Sequence, residues 1–343
     1  MKKLILFSFI LISFASCEKL LMPKKPSDHN GAIFNEVWTA LDKGYVHFNK
    51  VPISWDSVKK IYTPVFADSI NTQQVYDSMV SMLNTMLQDV NVSLNSGFAT
   101  SYYSERWKYP ANFNKGLLEQ KYWPGYEQTG GLLYKVFDSV GYIYYHSFND
   151  VVSDEQMQVV IRRLKGNGAK RGVILDIRDN AGGDPANMKV FFDHMGLDSN
   201  IGYDYTTFLY EIAYKKGPGH EDFENYKGAY TEKNSNLKFP GRIVVLTNRG
   251  VSGTANVFTS AAKSFNNVKV MGDTTGGGGA MTSSFELSNG WILTYPSARM
   301  RDGVGTGLEN PIPPDFYVPM KKADEDAGVD SIFEAARLLL VKY

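Results

Sequence analysis

Serine hydroxyls and backbone amides occur together in one short stretch of the last third of the chain. The apolar run 242–246 predicts a buried strand, and Ser252, Gly253 and Thr254 follow it, directly before a predicted helix. A strand that turns tightly into a helix presents a hydroxyl beside backbone N–H groups that have no helical partner. Acyl-transfer enzymes use such groups as nucleophile and as donors to the oxyanion. The stretch therefore indicates a site shaped for acyl transfer.

A second turn has the same character. The apolar run 172–177 predicts another buried strand, and Gly182 and Gly183 follow it at the start of a predicted helix. Adjacent glycines let the backbone approach a ligand closely, and N–H groups at a helix start favour an oxyanion or a carboxylate. A tight strand-to-helix connection without a ligand would leave the same pattern.

The elements that must position these turns alternate between strands and helices from about residue 132 onward. This alternation favours an α/β fold with a mainly parallel sheet. The capping-box pair Ser153 and Gln156 marks one helix start, and Asp330 caps a terminal helix that runs to about residue 340. Continuous apolar runs indicate strands that are buried on both faces. The predicted strands are 140–145, 172–177, 242–246, 268–271 and 291–295.

The chain divides into three parts after its N-terminal segment. Residues 31–95 show apolar side chains at helical spacing and form a predicted N-terminal helical domain. Residues 96–131 are irregular, rich in Tyr, Trp, Asn and Gly, and predict short strands and loops that bridge two units or cover a cleft. Residues 132–343 form the predicted α/β core.

The N-terminal segment resembles a bacterial lipoprotein signal. A Met-Lys-Lys start precedes an apolar run at 4–14, and small residues precede Cys17. We expect a signal peptide at 1–16, lipidation of Cys17 and a polar tether at 17–30. This predicts an exported protein held by its lipid on the membrane of a bacterial cell envelope, with the outer membrane favoured. A plain secretory signal with an incidental cysteine is the alternative.

Composition excludes several functions. Lys plus Arg and Asp plus Glu number 36 each, so no strong field draws the chain to nucleic acid. Cys17 is the only cysteine, and none of the five histidines has metal-ligand spacing with another His or Cys. The glycine run at 276–279 fits neither a phosphate loop nor a dinucleotide fingerprint. We expect no metal and no cofactor.

Four segments together resemble the tail-specific, or C-terminal processing, serine peptidases, a family that includes the tricorn core and the interphotoreceptor retinoid-binding modules. The resemblance covers nearly the whole mature chain in order and implies a ClpP/crotonase-like α/β core behind an N-terminal helical domain. No PDZ module fits into 96–131. The family implies a serine nucleophile with a lysine base or a histidine–glutamate arrangement. The matching segments are 87–92 at the end of the helical part, 141–148, 175–183, and 246–258 with 272–278 and 309–315.

The residues that carry chemistry in the family are replaced in this chain. The nucleophile position falls on Gly253, the lysine position on Gly278, and the histidine position on Asn91. The groups that remain are the Gly182 and Gly183 turn, the backbone N–H that follows Gly253, and Glu309 as a carboxylate.

Ser252 and Thr254 flank the vacant position, but neighbouring residues at a helix start point about 100° apart. A hydroxyl displaced by several Å and without a base is a poor nucleophile. We therefore expect a catalytically impaired or inactive form that binds extended polypeptide or a chain terminus in its cleft, at Gly182, Gly183, Gly253 and Thr254. One alternative is an active endopeptidase that uses Ser252 with His146 or Glu309 as helper. The other is a binding module for a glycan or an apolar small molecule.

Overall fold

The computed structural model describes residues 29–66, 70–196, 206–231, 235 and 237–342. The predicted signal peptide, Cys17 and the tether up to residue 28 lie outside the described residues. Within those ranges, no helix combines the length and the apolar character needed to cross a membrane.

Nine α-helices and thirteen strands account for the regular structure of the described residues. The helices are α1 (Asn30–Gly44), α2 (Trp55–Tyr62), α3 (Thr72–Met86), α4 (Lys115–Leu117), α5 (Asp154–Gly166), α6 (Lys189–His194), α7 (Thr254–Ala262), α8 (Lys322–Asp326) and α9 (Ser331–Lys342). The strands are β1 (Ser93–Asn95), β2 (Thr100–Tyr102), β3 (Glu127–Thr129), β4 (Leu132–Phe137), β5 (Val140–Tyr145), β6 (Gly172–Asp176), β7 (Phe208–Tyr214), β8 (Lys227–Tyr230), β9 (Arg242–Thr247), β10 (Val268–Gly272), β11 (Met281–Glu286), β12 (Ile292–Arg301) and β13 (Phe316–Tyr317).

A seven-stranded sheet forms the centre of the core, in the order β13-β10-β9-β6-β5-β4-β3. The five strands from β13 to β5 run parallel, and β4 and β3 join as antiparallel neighbours. The predicted α/β class and the mainly parallel sheet are confirmed. Because β6 and β9 are parallel neighbours, the two turns that follow them leave the same edge of the sheet.

Helices cover both faces of this sheet, which explains why its strands are apolar without alternation. Along β6, Leu175 packs into the hydrophobic cluster that contains side chains of α5, α6 and α7. Its neighbour Ile174 packs into the opposite cluster, which contains side chains of α9. The predicted cap of α5 is present, since the Ser153 side chain accepts from Gln156 N and Gln156 Oε1 accepts from Ser153 N.

A second, antiparallel sheet was not predicted. Its order is β2-β1-β12-β7-β8, and β11 also pairs with β12. The long strand β12 thereby joins β1, which directly follows the N-terminal helices, to strands of the core. Helices α1 to α3 share one hydrophobic cluster with Trp291, Leu293 and Tyr295 at the start of β12. The helical part is therefore packed on a strand of the core.

A buried ion network lies at the carboxyl end of β6. Arg178 donates to Asp176 through Nη2 at 2.6 Å and lies 2.9 Å from Asp330, and all three side chains are fully buried. Asp330 accepts in turn from the Ile332 and Phe333 amides at the start of α9, as its predicted capping role requires. The network therefore ties the end of β6 to α9.

Arg178→Ala should lower the free energy of unfolding by about 3–5 kcal/mol, because it leaves two buried carboxylates without their cation. Urea denaturation measures the change. Arg163→Ala is the matched control, since Arg163 pairs with Glu127 at 3.7 Å on the surface and is 64% exposed; there the loss should stay below about 1 kcal/mol. Equal losses in the two variants would show that the buried network contributes no more than a surface pair.

Candidate active site

A cleft of about 620 Å³ lies in front of the turn that contains Ser252. All three predicted parts of the chain contribute to its walls. The helical part supplies Lys50 and residues 87–90, the bridging segment supplies 102–106 and Tyr109, and the core supplies Ala181, Arg249, Gly250, Ser252, Gly276, Gly278 and 309–311.

Gly253 keeps the backbone conformation of a nucleophile turn. It precedes α7 with φ 57° and ψ −129°, a region that residues with a Cβ rarely adopt. Hydrolases hold their nucleophile on such a strained strand-to-helix turn. A Cβ added at Gly253 would point at the turn after β6, 3.2 Å from Ala181 O and 3.9 Å from Gly182 Cα. The side-chain direction is therefore aimed at the glycine turn, and no side chain occupies it.

The two turns touch backbone to backbone. A Cβ at Gly182 would lie 2.7 Å from Thr254 N and 2.9 Å from Ser252 O, distances that real side chains do not show. The Thr254 hydroxyl also donates to Gly183 O at 2.5 Å. Only a glycine at 182 allows this approach.

Two of the four backbone amides that the sequence singled out already have acceptors. Gly182 N donates to Asn180 Oδ1 at 2.9 Å, and Gly253 N donates to Gly277 O at 3.0 Å. The amides of Gly183 and Thr254 have no acceptor among the described residues. An oxyanion or carboxylate at this site would therefore be bound by the second pair.

The positions of the two missing base residues are in direct contact. Asn91 Nδ2 donates to Gly278 O at 2.6 Å. Gly278 has φ +80°, and a Cβ there would lie 2.1 Å from Val90 Cγ2. A lysine at 278 therefore does not fit beside Val90 in its present place.

Ser252 and Glu309 line the same cleft, as the sequence predicted for an alternative mechanism. Glu309 is bound to Lys50, whose Nζ lies 3.0 Å from Glu309 Oε1 and donates to Asn310 Oδ1 at 2.9 Å. The segment around Glu309 is fixed to the glycine-rich run, because Gly278 N donates to Glu309 O at 2.9 Å. Among the described residues, no side-chain hydrogen bond connects the Ser252 hydroxyl to a base.

His146 lies elsewhere. It contacts the Tyr144 hydroxyl through Nδ1 at 3.2 Å and lines a separate cavity of about 560 Å³ that Trp123, Tyr126 and Asp150 share. The structure therefore does not bring His146 together with Ser252, and its helper role has no geometric support. His194 is buried away from the cleft and contacts Leu237 O and Asp154 Oδ1.

A buried histidine beside the cleft was missed. His47 is 3% exposed, and its Nε2 has no hydrogen-bond partner among the described residues. Burial lowers the pKa of His47, although the carboxylates of Asp89 and Glu309 act in the opposite direction. Its neutral imidazole therefore contributes no charge to this wall at neutral pH.

Sequence reasoning also missed the charged and aromatic groups of the cleft walls. Lys50 is distant from Glu309 in the sequence, and no motif spacing connects them. Arg106 pairs with Asp179 at 2.8 Å across two parts of the chain. Within the ranges that the structure describes, no group of three or more His, Cys, Asp or Glu side chains could hold a metal ion.

The chain belongs to peptidase family S41. The family model matches residues 139–318, more than half of the 343 residues. A crystal structure of a candidate peptidase from Parabacteroides merdae ATCC 43184 is 30% identical to the chain, with a TM-score of 0.81, and the match covers 90% of this chain and 96% of that one. The resemblance inferred from the motifs is confirmed.

More distant proteins share the fold. The photosystem II D1 C-terminal processing protease is 17% identical with a TM-score of 0.50, over 90% of this chain and 97% of that one. The tricorn protease is 14% identical with a TM-score of 0.52, over 92% of this chain and 37% of that one. A CtpA-like serine protease of Staphylococcus aureus strain COL is 29% identical over 162 residues, 47% of this chain. The match spans only 29% of that curated relative's length.

Gly182→Ala should disrupt the contact between the two turns. Its matched control is Gly168→Ala, because both glycines have φ +96° and a Cβ at Gly168 would meet nothing within 4 Å. The control should cost about 1 kcal/mol of unfolding free energy for the positive φ alone. Gly182→Ala should cost at least about 2 kcal/mol more, because its Cβ also overlaps Thr254 N. Urea denaturation compares the two, and equal costs would mean that the turns separate without penalty.

Proposed function

We propose that this chain is a catalytically impaired member of its family that binds extended polypeptide or a chain terminus in the cleft. The observation that carries the proposal is Gly253. Its backbone has the conformation of a nucleophile and its vacant Cβ direction faces the Ala181–Gly182 turn, so the position for an attacking hydroxyl is present without the hydroxyl.

Missing base groups support the same conclusion. Asn91 and Gly278 occupy the positions at which the family has histidine or lysine, and the Asn91 side chain donates a hydrogen bond to the Gly278 carbonyl. Lys50 is the one lysine among the described residues that line the cleft, and it is held by Glu309 and Asn310. A serine without a base is a weak nucleophile near neutral pH, so Ser252 gains little from its position beside Gly253.

Sheet geometry supports polypeptide as the ligand. β2 is the end strand of the antiparallel sheet, and Tyr102 of β2 lines the cleft. An end strand offers backbone donors and acceptors to an extended chain, which can add as a further strand. The Gly183 and Thr254 amides, which have no acceptor among the described residues, would then donate to a carbonyl or a carboxylate of that chain.

An active endopeptidase that uses Ser252 remains the second candidate, because Ser252 and Glu309 both line the cleft. Covalent labelling separates the two functions. A fluorophosphonate that reacts at Ser252 would favour the active enzyme.

The purified full chain should not cleave fluorescein-labelled β-casein above the buffer rate, although it should bind this unfolded polypeptide in an anisotropy titration. Ser252→Ala should change neither result, and Ser264→Ala, at an exposed position in the turn that follows α7, serves as the control. Gly253→Ser should fold, because the added Cβ meets only Ala181 O closely, yet it should stay inactive without a base. Casein cleavage that Ser252→Ala abolishes and Ser264→Ala preserves would refute the proposal.

We also propose that Cys17 carries a lipid that anchors the chain to the membrane of a bacterial cell envelope, with the outer membrane favoured. The small residues before Cys17 and the short apolar run behind a Lys-Lys start support it. The full chain expressed in bacteria should incorporate labelled palmitate and fractionate with membranes. Cys17→Ala should lose both properties, and Lys24→Ala in the tether should keep them. Labelling that persists in Cys17→Ala would exclude this anchor.

A further inference from the structure

Arg249 is a cation in the cleft, and its N–H groups have no hydrogen-bond acceptor in the part of the chain that the structure describes. Its side chain is 20% exposed, and its Nε is buried without a hydrogen-bond partner among the described residues. The nearest carboxylate oxygen is Asp273 Oδ1, 3.8 Å from Nε, which is too long for a hydrogen bond. A guanidinium is always charged and carries five N–H donors. The donors of Arg249 are therefore charged groups without hydrogen-bond acceptors among the described residues.

Asp273 is already engaged by other donors. Its Oδ1 accepts from Thr274 N at 2.7 Å, and its Oδ2 accepts from Asn112 Nδ2 at 2.9 Å. Asp273 is therefore an ion-pair partner of Arg249 at 3.8 Å but not its hydrogen-bond acceptor. The charge of Asp273 offsets part of the cost of burying the guanidinium, but it does not satisfy its donors.

The other charged side chains that line the cleft have close partners. Six charged residues line it, and Arg249 alone among these described residues lacks a polar partner within 3.0 Å. The paired contacts are Lys50 with Glu309 at 3.0 Å, Asp89 with the Tyr45 hydroxyl at 3.0 Å, Glu105 with Lys108 at 2.5 Å, and Arg106 with Asp179 at 2.8 Å. The three cations and three carboxylates of the lining balance in charge, and Arg249 is the cation among them without a close polar partner.

Tyr109 holds the guanidinium in place. Arg249 Cζ lies 4.0 Å from the centre of the Tyr109 ring, a cation–π contact that helps to orient the guanidinium. Arg249 also lies three residues before Ser252, and its carbonyl O would be 2.6 Å from a Cβ at Gly276, so its backbone is packed against the glycine-rich run. A donor fixed in this way loses little conformational entropy when it binds.

We propose that Arg249 determines specificity in the cleft by binding a carboxylate of the polypeptide ligand. A planar carboxylate matches the guanidinium fork with two parallel hydrogen bonds. The carboxylate comes either from the C-terminus of the bound chain or from an Asp or Glu side chain within it. This inference rests on the proposed polypeptide-binding function and adds the feature of the ligand that the cleft selects.

Three pools of fluorescein-labelled ten-residue peptides test the inference by anisotropy. All are randomised over Gly, Ala, Ser, Val, Leu and Tyr; the first has a free carboxyl terminus, the second a C-terminal amide, and the third is an amide with one internal Glu. The full chain should bind the first or the third pool about tenfold more tightly than the second. A gain for the first pool alone identifies the C-terminus as the source, and a gain for the third identifies the side chain.

Substitutions at Arg249 test whether this residue causes the tighter binding of the carboxylate-bearing pools. Arg249→Gln should reduce the difference between pools to less than twofold, and Arg249→Lys should keep a partial preference. Arg106→Gln is the matched control, because Arg106 lines the same cleft but is paired with Asp179, and it should keep the full preference. Equal binding of all pools by the wild type, or an unchanged preference in Arg249→Gln, would overturn the role of Arg249 while leaving polypeptide binding intact.

If no peptide pool binds, the proposed polypeptide-binding function is refuted. A separate measurement then tests whether Arg249 binds a carboxylate. The Nε–H resonance of Arg249, assigned by its loss in Arg249→Lys, is followed during titration with N-acetylglycine. A saturable shift that Arg106→Gln retains supports a carboxylate site at Arg249. A resonance that does not move overturns it.

Discussion

The site depends on close backbone contact between two strand-to-helix turns. β6 and β9 are parallel neighbours, so the turns that follow them leave the sheet together, and Gly182 then meets the amide of Thr254 without an intervening side chain. The buried pair of Arg178 with Asp330 holds the first of these turns against α9. Ala181 and Ser252, which flank this contact, line the cleft.

Glycine at 253 fits the backbone conformation of its turn. A side chain at 253 would have to adopt φ 57°, which costs of order 1–3 kcal/mol that a glycine avoids. Functional sites commonly keep such strain because their chemistry requires it. Gly278 has φ +80° and avoids the same cost. The glycines at 253 and 278 therefore let both segments hold these conformations without side-chain strain.

Much of the core could be predicted because its signals are local. Continuous apolar runs marked β5, β6 and β9, and the box of Ser153 and Gln156 marked α5. The antiparallel sheet could not be predicted, since its strands are mostly short or exposed and gain their pairing from β12 far along the chain.

The side of the sheet on which His146 lies could not be predicted from the sequence either. β5 is buried on both faces, so its pattern did not show that His146 follows Tyr144 to the side opposite Ile143 and Tyr145. Arg249 was overlooked because no spacing in the sequence shows which cation lacks a hydrogen-bond acceptor.

The pairing of β12 has a consequence for the walls of the cleft. Through β12, the strand that follows the N-terminal helices is hydrogen-bonded into the same sheet as β7 and β11 of the core. A clamshell movement of the helices away from the core would break that ladder and open the apolar cluster around Trp291. The two cleft walls supplied by the helical part and by the core therefore belong to one packed unit, and they stay together as long as that ladder is intact.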